Sequence, residues 1–160
     1  MKIRQATPKD SFAVCEVLRR SITELCVGDH GGRNDILSPW LANKTPENVL
    51  QWITAPSQLT VIAEADHDIA GVGQASLEGK ILLNYVSPEF RFRGVSKSIM
   101  LALEEGIRSN GCAVVELVSM GTALSFYEAL GYIAIGSPQV ACSGRLSYPM
   151  EKRQIGRASC

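Results

Sequence analysis

Apolar positions recur at helical spacing in some stretches of this chain and alternate or run unbroken in others; the switches between the two mark its elements. Residues 1–6 alternate as a first strand. Thr7-Pro8-Lys9-Asp10 is a helix start, a capping hydroxyl followed by proline at the first helical position. Phe12, Cys15, Val17, Leu18, Ile22 and Leu25 then mark an apolar helical face. The glycines of residues 27–32 break that face and predict a mobile loop. Residues 36–41 read as a short helical segment. Thr45-Pro46 repeats the start signal for a helix that ends at Ala55-Pro56.

The period then changes to that of strands. Residues 59–65, 69–77 and 80–86 are three strands joined by turns at 66–68 and 78–79, an antiparallel meander. Residues 96–110 form an amphipathic helix with Ile99, Leu103 and Ile107 on one face, closed by Gly111. Residues 113–118 are nearly all apolar, as in a strand covered on both faces. A short helix over 122–130 ends at Gly131, and residues 132–135 and 146–150 form a last strand pair. The expected fold is mixed α/β: a mostly antiparallel central sheet of about six to seven strands flanked by about four helices. A parallel neighbour is expected across the 96–110 helix. One domain is expected over residues 1–153, with 154–160 as a frayed tail.

Composition narrows the class. A 160-residue chain that is 46% hydrophobic can bury a real core. No stretch reaches the roughly 20 apolar residues of a spanning helix, and Met1–Pro8 has nothing like a secretion signal, so a cytoplasmic protein without membrane contact is expected. Sixteen basic and 16 acidic residues leave no net field toward nucleic acid. The five cysteines, at 15, 26, 112, 142 and 160, are scattered and odd in number, against a zinc site or a disulfide framework. No metal is expected.

The chemistry points to residues 86–96. A buried strand ends, Arg91, Arg93 and Gly94 follow, and a helix begins. The first turn of a helix offers unpaired N–H groups and partial positive charge, the requirements for binding phosphate. Gly94 lets a phosphate approach the backbone, and Ser96 adds a hydroxyl. An ordinary loop with surface arginines has the same composition. Gly71-Val72-Gly73 imitates part of a dinucleotide fingerprint, but it lies within a hairpin that no helix follows.

Arg91-x-x-Gly94-x-Ser96 resembles the Arg/Gln-x-x-Gly-x-Gly/Ala signature of the GNAT superfamily of N-acetyltransferases, and Ala123–Tyr132 is similar to that family's A-x-x-F-Y-E-x-x-G-F segment. The two stand in the family's order and spacing. Ser96 replaces the usual small residue, and Met120 stands where many members have asparagine. The resemblance implies transfer of acetyl from acetyl-CoA to a primary amine, of a small molecule or a peptide, by direct attack. It implies coenzyme A contacts at Tyr85, Val86, Arg91, Phe92, Arg93, Gly94, Val95, Ser96 and Lys97. The pantetheine arm would pair with the strand near Val86, a backbone N–H near 84–86 would polarise the thioester carbonyl, and Tyr127 would protonate the departing sulfur. Glu78, Glu116 and Asp29 are the candidate bases; an ordered water is the alternative. His30, Trp40, Trp52, Cys26 and Cys142 are weighed for the acceptor region, expected over 27–45 and 136–146, with core packing as the plainer reading. A homodimer is an option. A non-catalytic acyl-CoA-binding module and a nucleic-acid-binding domain are the rival functions.

Overall fold

Thr7 opens the first helix through a short turn rather than directly. Its backbone N–H and hydroxyl both donate to Asp10 Oδ2, at 2.7 and 3.1 Å, closing a 3₁₀ turn at Pro8–Asp10 before α1 (Ser11–Leu25) begins. In this computed structural model, which describes residues 1–140 and 145–154, β1 (Lys2–Gln5) precedes that turn. α1 buries Val14, Cys15, Val17, Leu18 and Ile22; Phe12, assigned to that face by spacing, is 78% exposed.

The Gly-rich stretch after α1 is not the expected loop. Val27–His30 forms a helical turn, α2, and His30 explains it. Its ring is buried, with Nε2 3.1 Å from the carbonyl oxygen of Ile22, while Nδ1 accepts from Gly32 N at 2.9 Å. α3 (Asn34–Leu41) and α4 (Pro46–Thr54) follow. Thr45 caps α4 as predicted, its hydroxyl accepting from Asn48 N at 3.2 Å.

β2 (Gln58–Ala65), β3 (Asp68–Ser76) and β4 (Ile81–Val86) form the meander and, with β1, an antiparallel sheet of order β1-β2-β3-β4. One face packs Ile62 and Val72 against α1 and α4; the other packs Val61, Ala63 and Ala75 against α5 (Val95–Ser109). α5 lies very close to β3. A Cβ on Gly71 would stand 2.7 Å from Val95 Cγ1, and one on Gly73 would collide with Ile99 Cγ2. The G-x-G of β3 is therefore the bed of a helix.

The expected single sheet is divided. β5 (Val114–Met120) pairs with β8 (Leu146–Arg153), and β8 also carries β6 (Ile133–Ala134) and β7 (Gln139–Val140). The halves join through one parallel bridge, Lys80 to Glu116, with Glu116 N donating to Gly79 O at 2.7 Å. Beyond it β4 has β3 on one side only, and β5 has β8 on one side only. α6 (Leu124–Ala129) lies over this opening. Glu104 of α5 ties the halves together: it accepts from Tyr132 Oη at 2.7 Å and Lys152 Nζ at 3.1 Å.

Gln154, assigned to the tail, is held by a 2.6 Å bond from its N–H to Ala113 O. The remainder of the expected tail, Cys142 and Cys160 lie outside the described residues. No helix among the described residues is long and apolar enough to cross a membrane.

Candidate active site

Where β4 and β5 part, a cleft of about 480 Å³ opens. Its walls come from both strands, the start of α5, Tyr127 of α6, Trp40 of α3, and Cys26, Lys44 and Arg145 from the connecting segments. Antiparallel strands turn alternate backbone groups to each neighbour. Ser87 N donates to Ala70 O at 2.8 Å, so the amides of Asn84 and Val86 face the parting rather than β3.

Tyr127 is locked in place by aromatic packing. Its ring meets Phe126 at 5.1 Å and Tyr132 at 5.8 Å, both edge to face. Asn84 Nδ2 donates to the Tyr127 hydroxyl oxygen at 3.3 Å, which leaves the Tyr127 O–H free to donate elsewhere. Burial pushes the Tyr127 hydroxyl above the usual phenol range, with the Asn84 bond opposing. At neutral pH it holds its proton. Asn84 Oδ1 is buried with no partner, an acceptor waiting for a donor.

At the other wall, Gly94 adopts φ 76°, which any residue with a Cβ would resist, and no heavy atom lies within 4 Å of where a Cβ would stand. The first helical bond of α5 runs from Ser98 N to Gly94 O, leaving the amides of Val95, Ser96 and Lys97 without intrahelical acceptors. Phe92 also has positive φ, 64°, and is 90% exposed beneath the Arg91 guanidinium, 4.3 Å from its ring.

Tyr85, Val86, Ser96 and Tyr127 thus line one cleft. Arg91, Phe92, Arg93 and Gly94 are exposed before α5, and Lys97 is exposed on it. The Val95 side chain is buried against β3, so only its backbone amide can meet a ligand. None of the three carboxylates named as bases lines the cleft: Glu78 and Glu116 are exposed, and Asp29 accepts from Thr122 N and Oγ1. His30 and Trp52 do not line it; Trp40 and Cys26 do. Burial pushes the Cys26 thiol up to about 12, so it is not a thiolate at neutral pH.

Sequence reasoning named Asn84 only for its backbone and missed Lys44 and Arg145. Lys44 is 9% exposed, and burial together with the Arg145 charge pulls its ammonium down to about 8. Arg145 stacks on Trp40 at 4.1 Å and donates from Nε to Met120 Sδ. No local signal marks these residues, because distant segments bring them together.

The fold is similar to that of solved structures, among them the following three. A GCN5-related N-acetyltransferase from Rhodopseudomonas palustris aligns at TM-score 0.84 and 21% identity, over 95% of this chain and 94% of that one. The PaiA N-acetyltransferase from Thermoplasma acidophilum, in complex with coenzyme A, aligns at 0.76 and 20%, over 95% and 98%. An aminoglycoside 6'-N-acetyltransferase from Enterococcus faecium aligns at 0.73 and 17%, over 99% and 100%. At these identities the likeness speaks for the fold. A family model described as an acetyltransferase (GNAT) domain matches residues 35–154, well over half of the sequence. The chain belongs to the GNAT acetyltransferase family.

Proposed function

We propose that this acetyltransferase moves acetyl from acetyl-CoA to a primary amine by direct attack within the β4–β5 cleft, with residues 1–153 acting as one unit. The observation that carries the reading is the meeting of Tyr127, the free backbone edge of β4 and the open first turn of α5 around one opening. The Val95, Ser96 and Lys97 amides suit a diphosphate. Arg91 and Arg93 add charge beside them. The gap-facing amides of Asn84 and Val86 suit an extended arm laid along the strand, and one of them polarises the thioester carbonyl.

The substrate supplies an electrophilic carbonyl carbon and a sulfur leaving group. The amine nitrogen bonds that carbon, the carbon–sulfur bond breaks, the amine sheds a proton, and sulfur gains one. Tyr127, protonated and with its O–H free, donates the proton to sulfur. Asn84 Oδ1 accepts an N–H of the incoming amine, which aims its lone pair at the carbonyl. With no carboxylate among the described residues lining the cleft, the amine proton leaves through solvent. The protonated state of Cys26 argues against an acyl-cysteine relay.

The test is thiol release and calorimetry on two variants. Tyr127→Phe is expected to lower kcat about 100-fold with little change in coenzyme A affinity. Gly94→Glu, which sets a carboxylate beside the amides, is expected to abolish the coenzyme A response. A wild-type protein with no heat or melting response to millimolar coenzyme A ends the proposal. Full activity in Tyr127→Phe removes the assigned acid. A non-catalytic acyl-CoA binder, the rival reading, would show no turnover to lose.

A cytoplasmic setting, expected from composition, belongs to the same proposal. So does a homodimer, for which the exposed Val118, Ile133, Val140 and Leu146 of the second half-sheet are the apolar surface. A monomer in sedimentation removes that element.

A further inference from the structure

Lys44 is a primary amine built into the cleft in which acetyl transfer is proposed. Its backbone is pinned just after α3. The N–H donates to Leu41 O at 3.0 Å, and the carbonyl oxygen accepts from Arg19 Nη1 at 3.0 Å and Cys15 Sγ at 3.2 Å. The side chain is buried, and Nζ donates to Asn43 Oδ1 at 2.9 Å. No carboxylate among the described residues lines the cleft or pairs with Lys44, so none holds the amine in its charged form. Burial, and then the Arg145 charge, disfavour that form and bring the ammonium from an ordinary 10.5 down to about 8. At pH 7 about a tenth of Lys44 is then neutral amine, against about one part in 3,000 for an ordinary lysine. A neutral amine that gives one N–H to Asn43 keeps its lone pair for a carbonyl carbon.

We propose that Lys44 is an acetyl acceptor in its own right: with acetyl-CoA bound and no amine substrate in the cleft, the protein acetylates its own Lys44 Nζ. This rests on the acetyl-transfer reading above. The flexible four-carbon stem lets Nζ turn from Asn43 toward the thioester while the backbone stays pinned. Nζ bonds the carbonyl carbon, the carbon–sulfur bond breaks, and Tyr127 gives its proton to sulfur. The nitrogen sheds a proton to solvent, and Tyr127 regains one from it. The product is a neutral amide, so the modification removes the buried Lys44 charge and leaves an acetyl group in the space an acceptor would use.

The test incubates the purified protein with acetyl-CoA and no acceptor, and follows acetyl-lysine by peptide mass spectrometry. Lys44 is expected to gain one acetyl group at a rate independent of protein concentration, as a reaction within one molecule does. Tyr127→Phe is expected to slow that gain about 100-fold, and Gly94→Glu to abolish it. The exposed Lys2 and Lys9, which acetyl-CoA reaches only from solution, should be indifferent to both substitutions. The measurement on the wild type stands even if a variant folds poorly. The inference is overturned if coenzyme A binds by calorimetry and Lys44 stays unmodified, or if the rate rises with protein concentration. It is overturned equally if Lys44 is modified no faster than Lys2 and Lys9 and at the same rate in Tyr127→Phe, the mark of adventitious chemical acetylation. Acetylation of an added amine beside an unmodified Lys44 would leave the acetyl-transfer reading standing alone. If coenzyme A itself fails to bind, that reading falls and this inference falls with it.

Discussion

Lys44 holds a buried charge in the cleft, and its cost is measurable. Its ordinary value of 10.5 falls to about 8 in the folded chain, because burial and then Arg145 disfavour the charged form. Between about 8 and 10.5 the unfolded chain binds more protons than the folded one, so this group makes stability rise with pH across that window. Below pH 8 the penalty is present in full. Lys44→Met should therefore stabilise the protein at pH 7 by on the order of 1–3 kcal/mol, with the gain shrinking to nothing by about pH 10.5. Urea unfolding of both proteins at the two pH values checks this; an unchanged or lowered stability at pH 7 contradicts it. At this scale the sequence was a partial guide. That Tyr127 and Ser96 would share one cleft was legible, because each sits in a local motif with a recognisable spacing. The presence of Lys44, Arg145 and the Asn84 side chain there was not, because segments far apart in the chain bring them together.

Among the elements, α5 does two jobs: its first turn offers amides to the cleft, and its body packs against β3 through Gly71 and Gly73. The position of that first turn depends on this close approach. Gly73→Ala places a methyl against Ile99 and Leu103, and in a packed core the overlap must be relieved by shifting the helix. The expected loss is about 1–3 kcal/mol in urea unfolding. Because the shift moves the amides, coenzyme A affinity should fall as well, although residue 73 does not line the cleft. Gly136→Ala, where no heavy atom lies near the added Cβ, is the control and should leave both unchanged. A Gly73→Ala protein of full stability and affinity would show that α5 does not need its bed. The helix itself was plain from its apolar period. The short α2 was hidden because its two neighbouring glycines outweigh, in any local reading, the burial of His30 that holds it. The two-residue β7 was hidden because residues so few carry no period.

Across the whole molecule, the order of strands and helices was readable, but the division of the sheet was not. A strand's residues declare that it is a strand; they do not declare that its partner leaves after one bridge. β4 and β5 separate beyond Lys80–Glu116, and the opening between the half-sheets is the cleft in which acetyl transfer is proposed. The free edge of β4 makes a distinct prediction about exchange. The Asn84 and Val86 amides have no strand partner on the side they face, so they should exchange quickly in the free protein. The Val95, Ser96 and Lys97 amides, without helical acceptors, should do the same. If an extended arm lies along β4 while a diphosphate sits on α5, saturating coenzyme A should slow all five by about tenfold or more. Residues 71–75 of β3, already paired on both sides, should change little, and so should β6 and β7. Hydrogen exchange read residue by residue separates this from general tightening of the fold. Uniform protection would mean that coenzyme A only stabilises the native state, and protection centred on the second half-sheet would move the donor site away from the β4 edge. Protection of the β4 and α5 amides together is the one pattern that requires a ligand spanning strand and helix at once.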